Sequence, residues 1–366
     1  MARPALTLKG LNLRAVRVPL KRPLHTRVVV FESVTHLLID LETEEGVTGR
    51  TYLLGYLPKG PEYMAPLLRG LGEMFAGETL DPEAMFDRAR HAFTLMGREG
   101  LSLMAISGFD MAMWDALAQA ADQPLAAMLA GGMDPVPAYN SNGLGLKDPD
   151  ELGDEALALL AEGGFGMVKL RLGREHLKDD LAAVRKVRAA IGDDVLLPVD
   201  FNQGLNVEEA LKRCRALDGE GVYWLEEPIL YDDMPGNARI AAEVETPVQI
   251  GENFFGPEAL TRALDAKACN WIMPDAERIG GVTGWMRAAK LADAAEVPMS
   301  SHILPEISAH LLAATPTAHW LEYVDWAEPI LAEPLRIENG KALIPDTPGT
   351  GIRWDEDAVT RYQIAI

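Results

Sequence analysis

Three acidic residues recur at a constant interval in the middle of the chain. Asp200, Glu226 and Glu252 are separated by 26 residues each time, and each ends or follows a short apolar run. Carboxylate oxygens brought to one side are the ligands that Mg²⁺ prefers, and no Cys or His stands beside them, which disfavours zinc. A single acid of this kind is more often a rim carboxylate paired with Lys or Arg, but three in step predict a Mg²⁺ site.

The next two apolar runs supply a candidate proton acceptor. Asp275 follows one of them and His302 follows the other. A carboxylate that accepts the imidazole N–H fixes the tautomer and raises the basicity of the ring, so the pair predicts a general base. Two further histidines are interpreted as structural, because His319 begins its apolar run and His310 lies in a helical segment.

Other polar side chains stand at the ends of the remaining runs. Lys169 and Arg171 end the second run, and Lys169 beside a Mg²⁺ site could neutralise a substrate carboxylate. Ser141 ends the first run and is either a donor to that carboxylate or a turn residue in YNSNG. Asn202, two residues beyond the first acid, shares its direction and is a candidate substrate contact. Glu322, if protonated, could donate to an oxygen that gains charge; otherwise it is an exposed rim glutamate.

The elements that must position these residues are eight apolar runs, most of them separated by helical segments. The runs start about 25 residues apart between residues 136 and 325, which is the period of a βα unit. In a parallel barrel the carboxyl ends of all strands surround one site. The eighth run is followed by the Pro- and Glu-rich AEPILAEPL. The sequence therefore predicts an α/β fold, a parallel (β/α) barrel whose last helix is missing.

Residues 1 to about 131 follow a different pattern. VRVPL and VVVFESVTHLLIDLETEEGVTGRTYLL predict antiparallel strands with turns at EEG and TGR, and helical spacing follows from about Pro61. This pattern predicts an α+β unit with its boundary at AGGMDPVP, near residues 130–136. The segment after residue 325 is predicted to return to this unit.

Composition and charge exclude several classes of protein. The 366 residues carry a net charge of −21, from 55 acidic and 34 basic residues. This excess argues against nucleic acid or an anionic membrane as partner, and an anionic substrate would need positive charge from the site itself. No run reaches the roughly 18–20 apolar residues of a membrane span. Because no signal peptide is recognised and Cys214 and Cys269 form no CxxC pattern, we expect a cytoplasmic enzyme with buried thiols.

The stretch VPMSSHILPEISAHLLAATPTAHWLE, preceded by MPDAERIGGVTGW, resembles the enolase superfamily and within it the mandelate racemase subgroup. The resemblance runs essentially from end to end. It implies an α+β N-terminal capping domain at residues 1–131, a modified (β/α)7β TIM-like barrel at 132–325 and a C-terminal segment at 326–366 that returns to the capping domain. It also implies a homo-oligomer, often an octamer, acting on a small-molecule carboxylate.

The resemblance also assigns roles to the side chains described above. They would form one Mg²⁺-dependent site that removes a proton next to a carboxylate and stabilises the resulting enediolate, the known pattern of this superfamily. The implied roles are Mg²⁺ ligands for Asp200, Glu226 and Glu252, base and partner for His302 and Asp275, acid to the enediolate for Glu322, and carboxylate-binding groups for Lys169 and Ser141.

One position departs from the subgroup. Racemases of this kind carry Lys-x-Lys on the second strand, where the second Lys is the base for the opposite face, and this chain has Lys169-Leu170-Arg171. A guanidinium with a pKa above roughly 12 is a poor base but a good carboxylate clamp. The departure favours a one-base reaction, in which His302 takes the proton and a β-hydroxyl leaves, as in the dehydration of a sugar acid or similar hydroxy acid.

The loops near residues 20–35 and 50–58 match capping loops that form an apolar pocket over the substrate in the subgroup. Such a pocket suits an aryl or alkyl group better than a polyol, which needs hydrogen-bond partners. Ordinary strand packing is the alternative for Val28 and Phe31. The predicted pocket residues are Leu24, Val28, Phe31, Leu54 and Tyr56.

The sequence therefore predicts a Mg²⁺-dependent enzyme that abstracts the α-proton of a 2-hydroxycarboxylate or related carboxylate, for racemisation or epimerisation. Dehydration through His302 alone is the first alternative. A non-catalytic barrel that binds a carboxylate without exchanging its α-proton is the second, supported by the loss of Lys at position 171. A glycosidase that uses the paired carboxylates Glu226 and Glu227 leaves the Asp275–His302 pair unexplained.

Overall fold

An antiparallel sheet and four helices form the N-terminal part of the computed structural model, which describes residues 3–366. The strands are β1 (Leu8–His25), β2 (Val30–Thr43) and β3 (Thr48–Leu54), and they pair in chain order. The helices are α1 (Gly60–Phe75), α2 (Pro82–Ala92), α3 (Leu101–Ala120) and α4 (Leu125–Met128).

Helix α3 is the central core helix of this part. A Cβ at Gly49 of β3 would lie 2.0 Å from the carbonyl oxygen of Ala112, so helix and sheet are in direct backbone contact. The length and apolar composition of this helix would by themselves allow it to cross a membrane. However, 89% of its most apolar stretch is buried inside the fold. The apolar character of α3 is therefore explained by packing on both sides.

Eight parallel strand segments form a closed ring. Seven of them are strands of two to five residues: β4 (Val136–Asn140), β5 (Leu170–Arg171), β6 (Val199–Asp200), β7 (Leu225–Glu226), β8 (Val248–Ile250), β9 (Trp271–Ile272) and β10 (Leu321–Tyr323). The remaining member is the extended segment 299–302, where Met299 bridges both Ile272 and Ala318. The ring closes because β10 pairs in parallel with β4.

Helices follow the first seven of these segments. They are α5 (Pro149–Ala161), α6 (Leu177–Ile191), α7 (Val207–Leu217), α8 (Met234–Glu243), α9 (Pro257–Ala266), the successive α10 (Ala276–Ile279) and α11 (Gly281–Ala294), and α12 (Pro305–Ala313). After β10 comes only a short 3-10 turn, Glu328–Ile330. The predicted α/β fold, a modified (β/α)7β barrel under an α+β cap, is confirmed.

The C-terminal segment touches both parts of the molecule. A hairpin of β11 (Ile337–Glu338) and β12 (Lys341–Ala342) pairs antiparallel with the start of β4. Helix α13 (Glu356–Tyr362) leads into β13 (Gln363–Ile364), which pairs antiparallel with β1. The last strand of the chain thus completes the first sheet.

Buried carboxylates bridge the N-terminal part and the barrel. Asp110 of α3 accepts hydrogen bonds from the backbone N–H and the hydroxyl of Thr283, at 2.9 and 2.5 Å. Glu306 of α12 accepts one from the Tyr52 hydroxyl of β3 at 2.5 Å. Burial raises the pKa of both Asp110 and Glu306 to about 7. These contacts fix the cap over the mouth of the barrel.

Two histidines and both cysteines occupy structural positions. His319 lies within 3.0 Å of the Tyr223 hydroxyl, in an aromatic cluster at the amino end of the barrel strands. His310 accepts from the backbone N–H of Ala126 at 3.1 Å. Burial lowers the pKa of both histidines to about 4, so they are neutral at pH 7. The two cysteines are free thiols, Cys214 buried and Cys269 partly buried.

Candidate active site

The three acids predicted to bind Mg²⁺ meet at the carboxyl end of the barrel. Asp200 and Glu226 are register partners at the ends of β6 and β7, and Glu252 follows β8 by two residues. One oxygen from each lies within 4.8 Å of the others, and no other such group occurs among residues 3–366. Glu252 Oε2 is buried without a hydrogen-bond partner. Hard oxygen ligands with an unsatisfied buried oxygen fit Mg²⁺.

Neighbouring donors orient these carboxylates. The Asn202 side chain donates to Asp200 Oδ2 at 2.9 Å, and its backbone N–H donates to Oδ1 at 2.7 Å. The Trp224 indole donates to Glu226 Oε2 at 2.9 Å. Asn202 therefore holds a metal ligand while lining the cavity in which it was predicted to contact substrate.

Lys169 lies between two of the acids and Glu322. Its Nζ is 2.6 Å from Glu226 Oε1, 2.7 Å from Glu322 Oε1 and 3.3 Å from Asp200 Oδ2. Burial alone would lower the pKa of Lys169, but the surrounding carboxylates outweigh it and raise the pKa above its ordinary value. The ammonium is therefore a fixed positive charge in the site of a strongly acidic protein.

Glu322 and Ser141 are hydrogen-bonded to each other in the site. Glu322 accepts from the Ser141 hydroxyl at 2.7 Å and from the Ile303 N–H at 2.9 Å. Burial raises the pKa of Glu322, but Lys169 and His302 overcome it and hold the pKa well below the ordinary value. Both carboxyl oxygens of Glu322 therefore accept hydrogen bonds here, and its role as an acid to the enediolate stays a prediction. The Ser141 hydroxyl donates to Glu322 and accepts from Arg171, and its contact with a substrate carboxylate stays a prediction.

Asp275 and His302 form the predicted pair. His302 Nδ1 lies 2.8 Å from Asp275 Oδ2, so Nδ1 carries the proton and Nε2 faces the acids, 3.5 Å from Glu252 Oε2. Asp275 Oδ1 accepts the Glu277 N–H at 2.6 Å, as the N-cap of α10. Burial lowers the pKa of His302, but the charge of Glu252 and the hydrogen bond to Asp275 raise it overall, to about 9.

Arg171 is held by the loop after β4. Its guanidinium donates to the carbonyl oxygens of Ser141 and Gly143, at 3.1 and 2.9 Å, and to the Ser141 hydroxyl at 2.9 Å. These three bonds use N–H donors of the guanidinium and hold the side chain at the edge of the cavity. Arginine has no acceptor atom in its ordinary protonated state, so it is a poor proton acceptor.

A cavity of about 430 Å³ opens above these groups. Its polar floor includes Lys169, Arg171 and His302, and its roof is apolar. All of the predicted capping residues line it, namely Leu24, Val28, Phe31, Leu54 and Tyr56. Val28 is nevertheless 73% exposed, because it lies at the tip of the β1–β2 hairpin.

Two polar contributions were missed from the sequence. The Tyr56 hydroxyl donates to Asp275 Oδ2 at 3.0 Å, whereas only an apolar contact was predicted for this residue. Arg278 lines the cavity, stacks 4.3 Å from the centre of the Tyr56 ring and donates to the backbone carbonyl of Glu252. The position of Arg278, three residues after Asp275 on α10, is the sequence feature from which its place in the cavity could have been predicted.

Comparison with known proteins places this geometry in a family. Residues 9–130 match the model of the mandelate racemase/muconate lactonizing enzyme N-terminal domain, and residues 151–358 match the enolase C-terminal domain-like model. An enolase structure from alpha proteobacterium bal199 with bound magnesium is 47% identical, with a TM-score of 0.96 over 98% of this chain and 100% of that one. An enolase from Bradyrhizobium, complexed with magnesium and mandelic acid, is 41% identical, with a TM-score of 0.95 over 99% of each chain. The L-talarate/galactarate dehydratase of Salmonella typhimurium is 29% identical over 89% of this chain and 82% of its own length.

Proposed function

The chain belongs to the mandelate racemase/muconate lactonizing enzyme family of the enolase superfamily and is a Mg²⁺-dependent enzyme, and we propose that it dehydrates a 2,3-dihydroxycarboxylate through a single base, His302. The observation that carries this proposal is the position of Arg171. Its guanidinium is bonded to two backbone carbonyls and a hydroxyl, which leaves the Asp275–His302 pair as the base. A one-base site suits elimination better than racemisation, which needs a proton carrier on each face.

The metal ligands, Lys169 and Glu322 have separate roles in the proposed reaction. Mg²⁺ held by Asp200, Glu226 and Glu252 would supply positive charge for the oxygens of the substrate carboxylate. Lys169 adds a second fixed positive charge beside the same oxygens, where negative charge develops as the α-proton leaves. An anionic substrate next to Glu322 raises the pKa of that carboxyl through like-charge repulsion, which favours the protonated form that can donate a hydrogen bond.

Proton transfer runs through His302. Nε2 takes the α-proton, and Asp275 stabilises the imidazolium through Nδ1–H. The electron pair of the C–H bond forms the carbon–carbon double bond, and the C–O bond to the β-hydroxyl breaks. His302 then returns its proton to the departing hydroxide, so that water leaves and the enol product tautomerises to a 2-keto acid. No oxidant or reductant is needed.

Racemisation or epimerisation of an apolar 2-hydroxycarboxylate is the second candidate. Three apolar side chains of the roof, Leu24, Phe31 and Leu54, offer no hydrogen-bond partners to a polyol. The Bradyrhizobium neighbour was crystallised with mandelic acid, which carries an aryl group. The dehydratase from Salmonella supports the first candidate in the same way. The Arg171 contacts favour the first candidate, because they support a site with a single base.

Proton NMR in D₂O with Mg²⁺ tests the proposal. The panel contains both enantiomers of mandelate together with galactarate, gluconate and arabinonate. We expect loss of water from a dihydroxy acid, or α-proton exchange from one mandelate enantiomer only. Racemisation of mandelate by the wild type would overturn the one-base assignment, and no exchange with any compound would favour a non-catalytic barrel.

Two variants sharpen this experiment. His302→Asn is expected to abolish exchange while substrate affinity stays within a few-fold, because the ring is the proton acceptor. Arg171→Lys restores the Lys-x-Lys pattern of the racemases and is expected to add exchange from the other mandelate enantiomer. If Arg171→Lys shows exchange from one enantiomer only, the residue at position 171 does not decide the stereochemical course.

A further inference from the structure

Asp275 receives a second donor besides His302. The Tyr56 hydroxyl donates to Asp275 Oδ2 at 3.0 Å, and His302 Nδ1 lies 2.8 Å from the same oxygen. The other oxygen, Oδ1, accepts the backbone N–H of Glu277. Three donors from three directions leave the carboxylate no freedom to rotate, so the imidazole that depends on it is also fixed.

The ring of Tyr56 is held from the other side by Arg278. The guanidinium lies 4.3 Å from the ring centre, a cation–π contact. Arg278 itself donates to the carbonyl oxygen of Glu252 at 2.9 Å and to Asn253 Oδ1 at 2.6 Å. Tyr56 therefore contacts Asp275 of the Asp275–His302 pair directly, and it is linked through Arg278 to the segment that carries the third metal ligand.

The turn that presents Tyr56 is rigid. The Gly55 N–H donates to the Thr35 carbonyl at 2.7 Å, and the Thr35 hydroxyl donates to the Leu57 carbonyl at 3.0 Å. The backbone of Tyr56 has a φ of 53°, which lies in the left-handed region that residues other than glycine rarely adopt. Such strain persists where the surroundings over-determine the conformation, and it is concentrated at functional sites. The turn therefore holds the Tyr56 side chain in one position.

We propose that Tyr56 is a positioning residue: its hydroxyl holds Asp275, and through Asp275 the His302 ring, in the orientation that directs Nε2 into the cavity. The capping loop thereby completes the proton acceptor of the barrel as well as covering the substrate. This inference rests on the proposed function, in which His302 takes the α-proton.

The Tyr56→Phe variant removes one hydroxyl and keeps the ring on Arg278. We expect kcat to fall about ten-fold, as for the loss of one hydrogen bond to a charged group, while KM stays within about two-fold. Tyr52→Phe is the matched control, because it removes a buried hydroxyl from the same strand region whose partner is Glu306. The control is expected to lower Tm and to leave kcat unchanged.

A second measurement does not depend on turnover. In ¹⁵N-histidine-labelled, Mg²⁺-loaded protein, the Nδ1–H resonance of His302 is expected to move in Tyr56→Phe, because Asp275 Oδ2 loses a competing donor, and to stay fixed in Tyr52→Phe. An unshifted resonance together with wild-type kcat in Tyr56→Phe overturns the positioning role. Unimpaired turnover in His302→Asn overturns the proposed function instead, and the resonance test still decides the role of Tyr56.

Discussion

Glu306→Gln is predicted to stabilise the protein at alkaline pH and to leave its stability at acidic pH unchanged. Glu306 is buried where the cap meets the barrel and accepts the Tyr52 hydroxyl at 2.5 Å. Burial raises its pKa from 4.5 to about 7. Gln keeps a carbonyl oxygen for Tyr52 and has nearly the shape of the protonated acid, so the substitution removes the ionisation and little else.

The sign and size follow from the two pKa values. The folded protein keeps this proton up to about pH 7, whereas the unfolded chain releases it near its ordinary value. The stability linked to the proton is therefore fully present below about pH 4.5 and is lost as the pH rises through 7. At about 1.4 kcal/mol for each pKa unit between the two values, the free energy of unfolding is lower by about 3 kcal/mol above pH 7. For a chain of this length that corresponds to about 4 °C in Tm.

Thermal unfolding at a series of pH values checks this prediction. We expect Glu306→Gln and wild type to have Tm values within about 1 °C of each other at pH 5 and the variant to be more stable by about 4 °C at pH 9. Glu333→Gln is the control, because Glu333 is exposed and pairs with Arg353 on the surface. The Tm difference for the control should not change with pH. A difference for Glu306→Gln that is equal at pH 5 and pH 9 would refute the reasoning.

Three further predictions concern the metal, the interface and the thiols. Glu252→Gln is expected to weaken Mg²⁺ binding at least about 100-fold by titration calorimetry, and unchanged affinity would contradict its assignment as a ligand. Thr283→Val leaves buried Asp110 without its hydroxyl donor, and we expect about 2–3 kcal/mol of destabilisation in thermal unfolding with activity retained. Cys214 and Cys269, whose pKa values burial raises to about 12, are expected to react with a thiol reagent at pH 8 only after unfolding.

The residues at strand ends were predictable because their positions follow from a repeated geometry. Asp200, Glu226 and Glu252 occupy equivalent places in successive βα units, so a constant spacing in the sequence becomes proximity in space. The same reasoning placed Asp275 beside His302. The absence of an eighth barrel helix could also be predicted, because no helical pattern directly follows the last strand of the barrel.

Contacts between distant segments could not be predicted in this way. Tyr56 and Asp275 are 219 residues apart, and no periodicity connects them. The position of the Arg171 side chain is set by backbone carbonyls of the loop after β4. The pattern of side chains in the sequence gives no information about where such carbonyls point. The ionisation of Glu322 depends on how closely Lys169 approaches, a distance that only the packed structure gives.

The order in which the two sheets close has a consequence for biosynthesis. The barrel is sealed when residues 321–323 pair with β4, and the first sheet gains its last strand when residues 363–364 pair with β1. A ribosome makes the chain from its N-terminus, so β4 must wait for residues 321–323 and β1 must wait for residues 363–364 before these pairings can form. Until then the nascent protein carries two open sheet edges, the kind of surface on which intermediates aggregate and chaperones act.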